Sequence, residues 1–200
     1  MPDLILVKHA MPEIVPGVPG AAWGLSAAGR AQCEPLAAAL VPHAPVAVVT
    51  STEPKAAETG SRVAAALRLP CTMAPDLHEN DRRGLPFLKQ EDLEARIAEF
   101  FARPAAVVMG QESADAAHAR FAAAVRAAAA PHPHGAVVIV AHGTVISLLV
   151  SRAFGLDPLD VWRRLGLPSF VVLSRPNLAM KAIVERLGHV GGSVVEVHSP

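Results

Sequence analysis

Apolar positions along this chain fall into short unbroken runs separated by stretches of helical period. Leu4-Ile5-Leu6-Val7 is aliphatic at every position and stops abruptly at Lys8-His9. A run this short, apolar on both faces, predicts a central strand covered by helices on either side. Val46 to Thr50 and Val137 to Ala141 repeat the pattern, and the latter runs into His142-Gly143. Residues 71–75 predict a further strand, as do Ser169 to Ser174, Met180 to Val184 and Val194 to Val197 near the C-terminus.

Between these runs the pattern turns helical. Ser26 caps a predicted helix reaching about Val41, which Pro35 should kink or split. Ser51-Thr52-Glu53-Pro54 opens a second helix to about Leu67, with Ser51 read as its cap and the proline in its first turn. Glu91 to Ala102 carries Leu93, Ile97, Phe100 and Phe101 on one apolar side, read as core rather than as a substrate platform. Ser113 caps a long alanine-rich helix to about Ala130; Thr144 to Phe154 and residues 158–165 follow. The stretch from Met11 to Leu25 holds too many prolines and glycines for regular structure. Strands alternating with helices predict a three-layer α/β/α sandwich around a largely parallel central sheet. The 200 residues make one domain, 1–200, with an insertion at about 80–112 expected to act as a lid over the active site.

Composition narrows the function classes. Eighteen basic residues balance eighteen acidic ones, so no net field draws nucleic acid or an anionic membrane. Cys33 and Cys71 form neither a CxxC pair nor a disulfide framework, and both read as small buried hydrophobes. The N-terminus lacks the basic region of a signal peptide, and no apolar stretch approaches the roughly 18 residues of a membrane span. The expectation is a soluble, cytoplasmic protein whose apolar tail offers a surface for a homodimer.

Three predicted strands end in polar chemistry: Lys8-His9, Thr50-Ser51 and His142-Gly143. In open parallel sheets ligands bind where loops leave the carboxyl ends of strands. The helix starts after Ser51 and His142 add unpaired backbone N–H groups, and such groups favour an anion. Lys8 and Lys55 make the pocket cationic, and Glu79 supplies a nearby carboxyl. This set suits phosphoryl transfer to a histidine: a neutral imidazole attacks, an imidazolium and cations neutralise the transferring group, and a carboxylic acid protonates the leaving oxygen. No glycine-rich nucleotide loop occurs, and neither metal nor cofactor is expected; His132 and His134 flanking Pro133 read as surface loop.

These residues resemble the histidine phosphatase superfamily, the phosphoglycerate-mutase-like fold. Lys8-His9-Ala10 is similar to the family's Arg-His-Gly/Ala opening. Leu25-Ser26-Ala27-Ala28-Gly29-Arg30-Ala31-Gln32 resembles its Leu-Thr-x-x-Gly-x-x-Gln, and Ser51 to Thr59 its Ser-x-x-x-Arg-Ala-x-x-Thr. Leu77-His78-Glu79, Gly110-Gln111-Glu112-Ser113 and Ala141-His142-Gly143 complete the order. The resemblance implies His9 as nucleophile, His142 as stabiliser of the phosphoryl group and Glu79 as proton donor, with Glu58 and Glu13 as competing acids. Lys8 and Lys55 stand at the positions of two phosphate-clamping arginines, with Ser51 and Gly143 beside them. Lysine is a mobile point charge where arginine is a planar fork. Weaker binding, a different substrate and lost turnover are all open, and Arg62, Arg82 or Arg83 is available to supply a guanidinium instead. The activity implied is metal-independent hydrolysis of a phosphomonoester, on a small molecule or a phosphoprotein. The alternatives are a mutase and a phosphate-binding protein of weakened turnover.

Overall fold

The computed structural model describes residues 2–85, 87–175 and 177–187. Six strands and six helices follow one another as β1 (Asp3–Lys8), α1 (Ala27–Leu40), β2 (Pro45–Thr50), α2 (Pro54–Leu67), β3 (Cys71–Met73), α3 (Gln90–Ala102), α4 (Ala114–Ala129), β4 (Ala136–Ala141), α5 (Gly143–Phe154), α6 (Pro158–Arg164), β5 (Ser169–Ser174) and β6 (Met180–Val184). The strand expected at 194–197 lies outside the described residues.

The strands form one sheet in the order β3-β2-β4-β1-β5-β6. β3, β2, β4 and β1 run parallel, and β5 runs antiparallel to both β1 and β6, so β5 alone points the other way. The two all-aliphatic runs, β1 and β4, lie side by side in the middle. Because side chains alternate across a sheet, each strand feeds two cores. Ile5, Val7, Val138 and Val140 pack with Leu36 and Leu40 of α1 and Val63 of α2. Leu4, Leu6, Val137 and Ile139 pack with Phe100 of α3, Phe121 of α4, Ile146 of α5 and Val161 of α6 on the other face. The result is an α/β/α sandwich with a mostly parallel sheet. In the stretch expected to be an insertion, α3 is built into this second core by Ile97, Phe100 and Phe101.

Three local expectations are corrected. Pro35 neither kinks nor splits α1, which runs unbroken from Ala27 to Leu40. Pro35 and Ala31 both face solvent, where water can meet the carbonyl that proline leaves unpaired. Ser51 is not the cap of α2: the cap position belongs to Glu53, with Pro54 at the first turn. Cys71 is exposed because its short strand β3 is the sheet edge, whereas Cys33 is buried. No helix among the described residues is long and apolar enough to cross a membrane.

Candidate active site

The parallel register of β1 and β4 brings the two histidines together. Lys8 pairs with Ala141, so His9 and His142 occupy the next rung, and the His9 N–H donates to the Ala141 carbonyl at 3.1 Å. Their ring centroids lie 5.3 Å apart, edge to face, and both residues are buried. His9 Nδ1 sits 2.7 Å from the Ala10 carbonyl oxygen. A carbonyl only accepts, so Nδ1 carries the proton and Nε2 keeps a free lone pair.

Motif residues from two helices, α1 with its cap and α2, hold the backbone that follows His9. The Ala10 N–H donates to Thr59 Oγ1 at 3.1 Å, and the Met11 N–H to Gln32 Oε1 at 3.0 Å. A Cβ at Gly29 would stand 2.0 Å from the Met11 carbonyl oxygen, so only glycine lets α1 lie this close. Ser26 caps α1, accepting from the Gly29 N–H at 3.0 Å, and its hydroxyl also donates to the Met11 carbonyl at 3.1 Å.

His142 Nε2 lies 2.9 Å from Ser51 Oγ and 3.6 Å from Glu53 Oε1. Ser51 thus turns its hydroxyl to the histidine, while accepting from the Glu53 N–H at 3.2 Å. Burial first, then the neighbouring His142 and Lys55, pushes His9 well below the usual imidazole range. Burial, with Lys55 and against the pull of Glu79, takes His142 down to about 3. Both rings are therefore neutral near pH 7. His142 does not carry the imidazolium charge expected of it, because burial outweighs its carboxylate neighbour.

Glu79 occupies the α5 N-terminus. Its carboxylate accepts from the N–H groups of Thr144 at 3.1 Å and Val145 at 3.3 Å, and from its neighbour Asn80 at 3.0 Å. Arg82 Nη2 stands 3.6 Å away. Burial works against the charge, but Arg82, His142 and the backbone donors prevail and hold the carboxyl at about 2. Two of the helix-start N–H groups expected to await an anion are therefore held by an anion of the chain itself. Arg120 and Glu112, the acid of the Gly-Gln-Glu-Ser element, form the platform beneath. Arg120 donates to the carbonyls of Asp76, His78 and Glu79 while pairing with Glu112, which accepts the Asp81 N–H.

The two lysines go different ways. Lys8 follows the side of Leu4 and Leu6, toward α5 and α6, where Nζ donates to the Leu165 carbonyl at 2.6 Å beside the Trp162 ring. Gly143 makes room for it: a Cβ there would be 3.0 Å from Lys8 Cε. Burial lowers the Lys8 ammonium to about 8, with Glu79 opposing and Arg82 and Arg186 assisting. Lys55 is buried on the opposite side, 2.5 Å from Glu53 Oε2 and 2.7 Å from the Gly20 carbonyl. Of the three candidate guanidiniums, Arg82 reaches the site, donating to Thr144 Oγ1 at 3.0 Å and to Asn80 Oδ1 at 2.9 Å. Arg83 pairs with Asp81 and Arg62 with Glu58, both outward. Glu58 is held by Arg30, Arg62 and the Leu25 N–H, and Glu13 is exposed, so neither competing acid joins the histidines.

Glu53 is the residue the sequence reading missed. Its carboxylate meets Lys55, the Glu79 N–H at 2.8 Å and His142. The signal was an acid two positions before a lysine that stands where the family has arginine.

Comparison with known proteins agrees on the fold. A solved mycobacterial glucosyl-3-phosphoglycerate phosphatase superposes with a TM-score of 0.73 at 21% identity, covering 90% of this chain and 95% of that one. A phosphoserine phosphatase mutant from Entamoeba histolytica, solved with phosphoserine, gives 0.73 at 15% identity, covering 92% and 96%. YhfR of Bacillus stearothermophilus gives 0.73 at 20%, covering 96% and 100%. No curated protein matches in sequence. A sequence model of the histidine phosphatase superfamily (branch 1) matches residues 5–176. With its fold, its ordered motifs and most of its length accounted for, the chain belongs to the histidine phosphatase superfamily.

Proposed function

We propose that this protein hydrolyses a phosphomonoester without a metal ion, by way of a phosphohistidine on His9. The observation that carries the reading is the state of that ring: Ala10 fixes the proton on Nδ1, and burial keeps the imidazole uncharged. Nε2 therefore presents a lone pair at the carboxyl end of β1. As Nε2 attacks phosphorus, the N–P bond forms and the bond to the leaving oxygen breaks. That oxygen takes a proton from Glu79, the proposed donor. Glu79 gains its proton when an incoming phosphoryl dianion competes for Arg82 and reverses the charge balance around the carboxyl. A water then attacks the phosphohistidine, giving its proton to the same carboxylate; the P–N bond breaks and inorganic phosphate leaves. Arg82, Lys55, Lys8, Ser51 and the Gly143 N–H are the proposed contacts to the phosphoryl oxygens, with neutral His142 as a hydrogen-bonding partner.

Hydrolysis of p-nitrophenyl phosphate in EDTA tests this directly. Wild type should turn over, His9→Ala should lose at least about 10³-fold in kcat, and a radiolabelled donor should leave acid-labile label on the wild type alone. Turnover that survives His9→Ala, or that requires added metal, overturns the reading. A second reading rests on the engagement of both lysines, Lys8 by Leu165 and Lys55 by Glu53. On it the protein binds phosphate with little turnover, and inorganic phosphate would bind to a protein that accepts no label.

A further inference from the structure

The segment that follows His9 has an unusual composition. From Pro12 to Gly24 it reads Pro-Glu-Ile-Val-Pro-Gly-Val-Pro-Gly-Ala-Ala-Trp-Gly, in which Glu13 is the lone ionisable side chain and no hydroxyl or amide side chain occurs. Ile14, Val15 and Val18 are exposed along it. The one side-chain donor, the Trp23 indole, spends its N–H on the Val18 carbonyl at 3.0 Å, so the ring offers only carbon.

The sheet order starts this segment at the same sheet edge as the histidines. It leaves the carboxyl end of β1, while the segment carrying Phe87 follows β3; β4 and β2 lie between those two strands. Trp23 and Phe87 nevertheless meet, with ring centroids 6.3 Å apart, so the two segments close a span across the strand ends that carry His142 and Ser51. Each is pinned at the site: the first by Lys55 donating to the Gly20 carbonyl, the second by Arg82 donating to Thr144 Oγ1. Phe87 is 52% exposed, an aromatic face that nothing else in the described chain covers fully.

We infer that the substrate is a phosphomonoester with an apolar aromatic leaving group, seated against Trp23 and Phe87. The inference rests on the phosphatase reading and adds to it the chemistry of the group that departs. Aromatic rings favour an aromatic partner through offset or edge-to-face contact, and they offer no hydrogen bond to replace the water that a polyol or carboxylate surrenders. A sugar acid or an amino acid ester would need side-chain donors that the segment from Pro12 to Gly24 does not leave free. The chemistry of the acid points the same way. Glu79 is held firmly as a carboxylate by its donors, and an aryl oxygen needs less protonation to depart than an alkyl one.

The test compares 1-naphthyl phosphate with phenyl phosphate, whose leaving groups are of similar acidity but different apolar area, and both with phosphoserine. Wild type should favour naphthyl over phenyl by about tenfold in kcat/KM, and both over phosphoserine. In Trp23→Ala and, separately, Phe87→Ala the naphthyl-to-phenyl ratio should fall toward one. Phe87 is exposed enough that its variant folds even if Trp23→Ala does not. Binding of 1-naphthyl phosphonate against methyl phosphonate, followed calorimetrically, reads the same preference without turnover. Hydrolysis dependent on His9 but fastest on phosphoserine, or a naphthyl ratio unmoved in both variants, overturns the inference and leaves the phosphatase reading standing. Absence of all hydrolysis sinks the phosphatase reading, and equal binding of the two phosphonates then sinks this one as well.

Discussion

The floor and the cover of the site are built by different physics. The floor is long-range: His9 bonds Ala141, Ala10 bonds Thr59 and Met11 bonds Gln32, contacts between β1, β4, α2 and α1 that exist only once the sheet has its register. The cover is local. The Pro12–Leu25 bridge and the Glu13–Gly24 bond close its base, and the bonds inside it join residues three to five apart, such as Val18 to Val15 and Trp23 to Val18. Among the described residues, the body of this loop is tied to the rest by one side-chain hydrogen bond, Lys55 to the Gly20 carbonyl, and by the Trp23–Phe87 contact. The difference separates two jobs. A floor set by register repeats wherever the fold repeats, while a self-contained loop can change its side chains without disturbing the nucleophile.

Substitutions should expose that division, most strongly at Lys55. Lys55→Ala leaves the buried Glu53 carboxylate with no cation, which costs about 3 kcal/mol of stability. Urea unfolding should show it, and the double variant Lys55→Ala with Glu53→Ala should recover most of the loss. The same measurement on Phe87→Ala in the cover should stay within about 0.5 kcal/mol. A cover variant as damaging as the floor variant would dissolve the distinction.

Gly60→Ala is the next step down. A Cβ there would stand 2.1 Å from Thr50 Cγ2 and 3.3 Å from Val140 Cγ2, where α2 presses on the last residues of β2 and β4. Overpacking at such a contact costs about 2 kcal/mol, a melting temperature roughly 6 °C lower. Because Thr50 leads into Ser51, kcat should fall as well. An unchanged kcat at the lowered stability would show that the floor tolerates a displaced Ser51.

The floor was legible in the sequence for a physical reason. Two all-aliphatic runs must be central strands, and a histidine within two residues of the end of each must then stand at the carboxyl edge. Side-chain partners were not legible. Ser51 looks like a cap because serine before a proline-led helix usually is one; its turn toward His142 depends on β2 lying beside β4. Glu79 was readable as a site acid, but not its capture of the α5 N-terminus, which needs Arg120 and Glu112 to lift the segment into place. Lys55 was readable as a cation but Glu53 was not readable as its partner, since two residues on one turn give no sign of pairing until burial forces it. The alternation rule did hold the answer for Lys8: its parity with Leu4 and Leu6 sends it to the α5–α6 side.

Lys8 gives the smallest effect and the most discriminating one, because its charge acts on folding and on ligand in opposite senses. Burial lowers its ammonium from the ordinary 10.5 to about 8, Glu79 only partly restoring it. Between pH 8 and 10.5 the unfolded chain holds that proton and the folded chain does not, so this residue's contribution to stability rises with pH across the window. The proposed anion site loses a positive charge over the same interval, so KM should climb a few-fold above pH 8 while kcat changes less. Lys8→Arg keeps its charge throughout and should flatten both trends. Urea midpoints and KM measured at pH 7 and 9.5 on the two proteins would decide it. If KM rises equally in both, Lys8 is held by Leu165 for structure alone, and the clamp rests on Arg82 and Lys55.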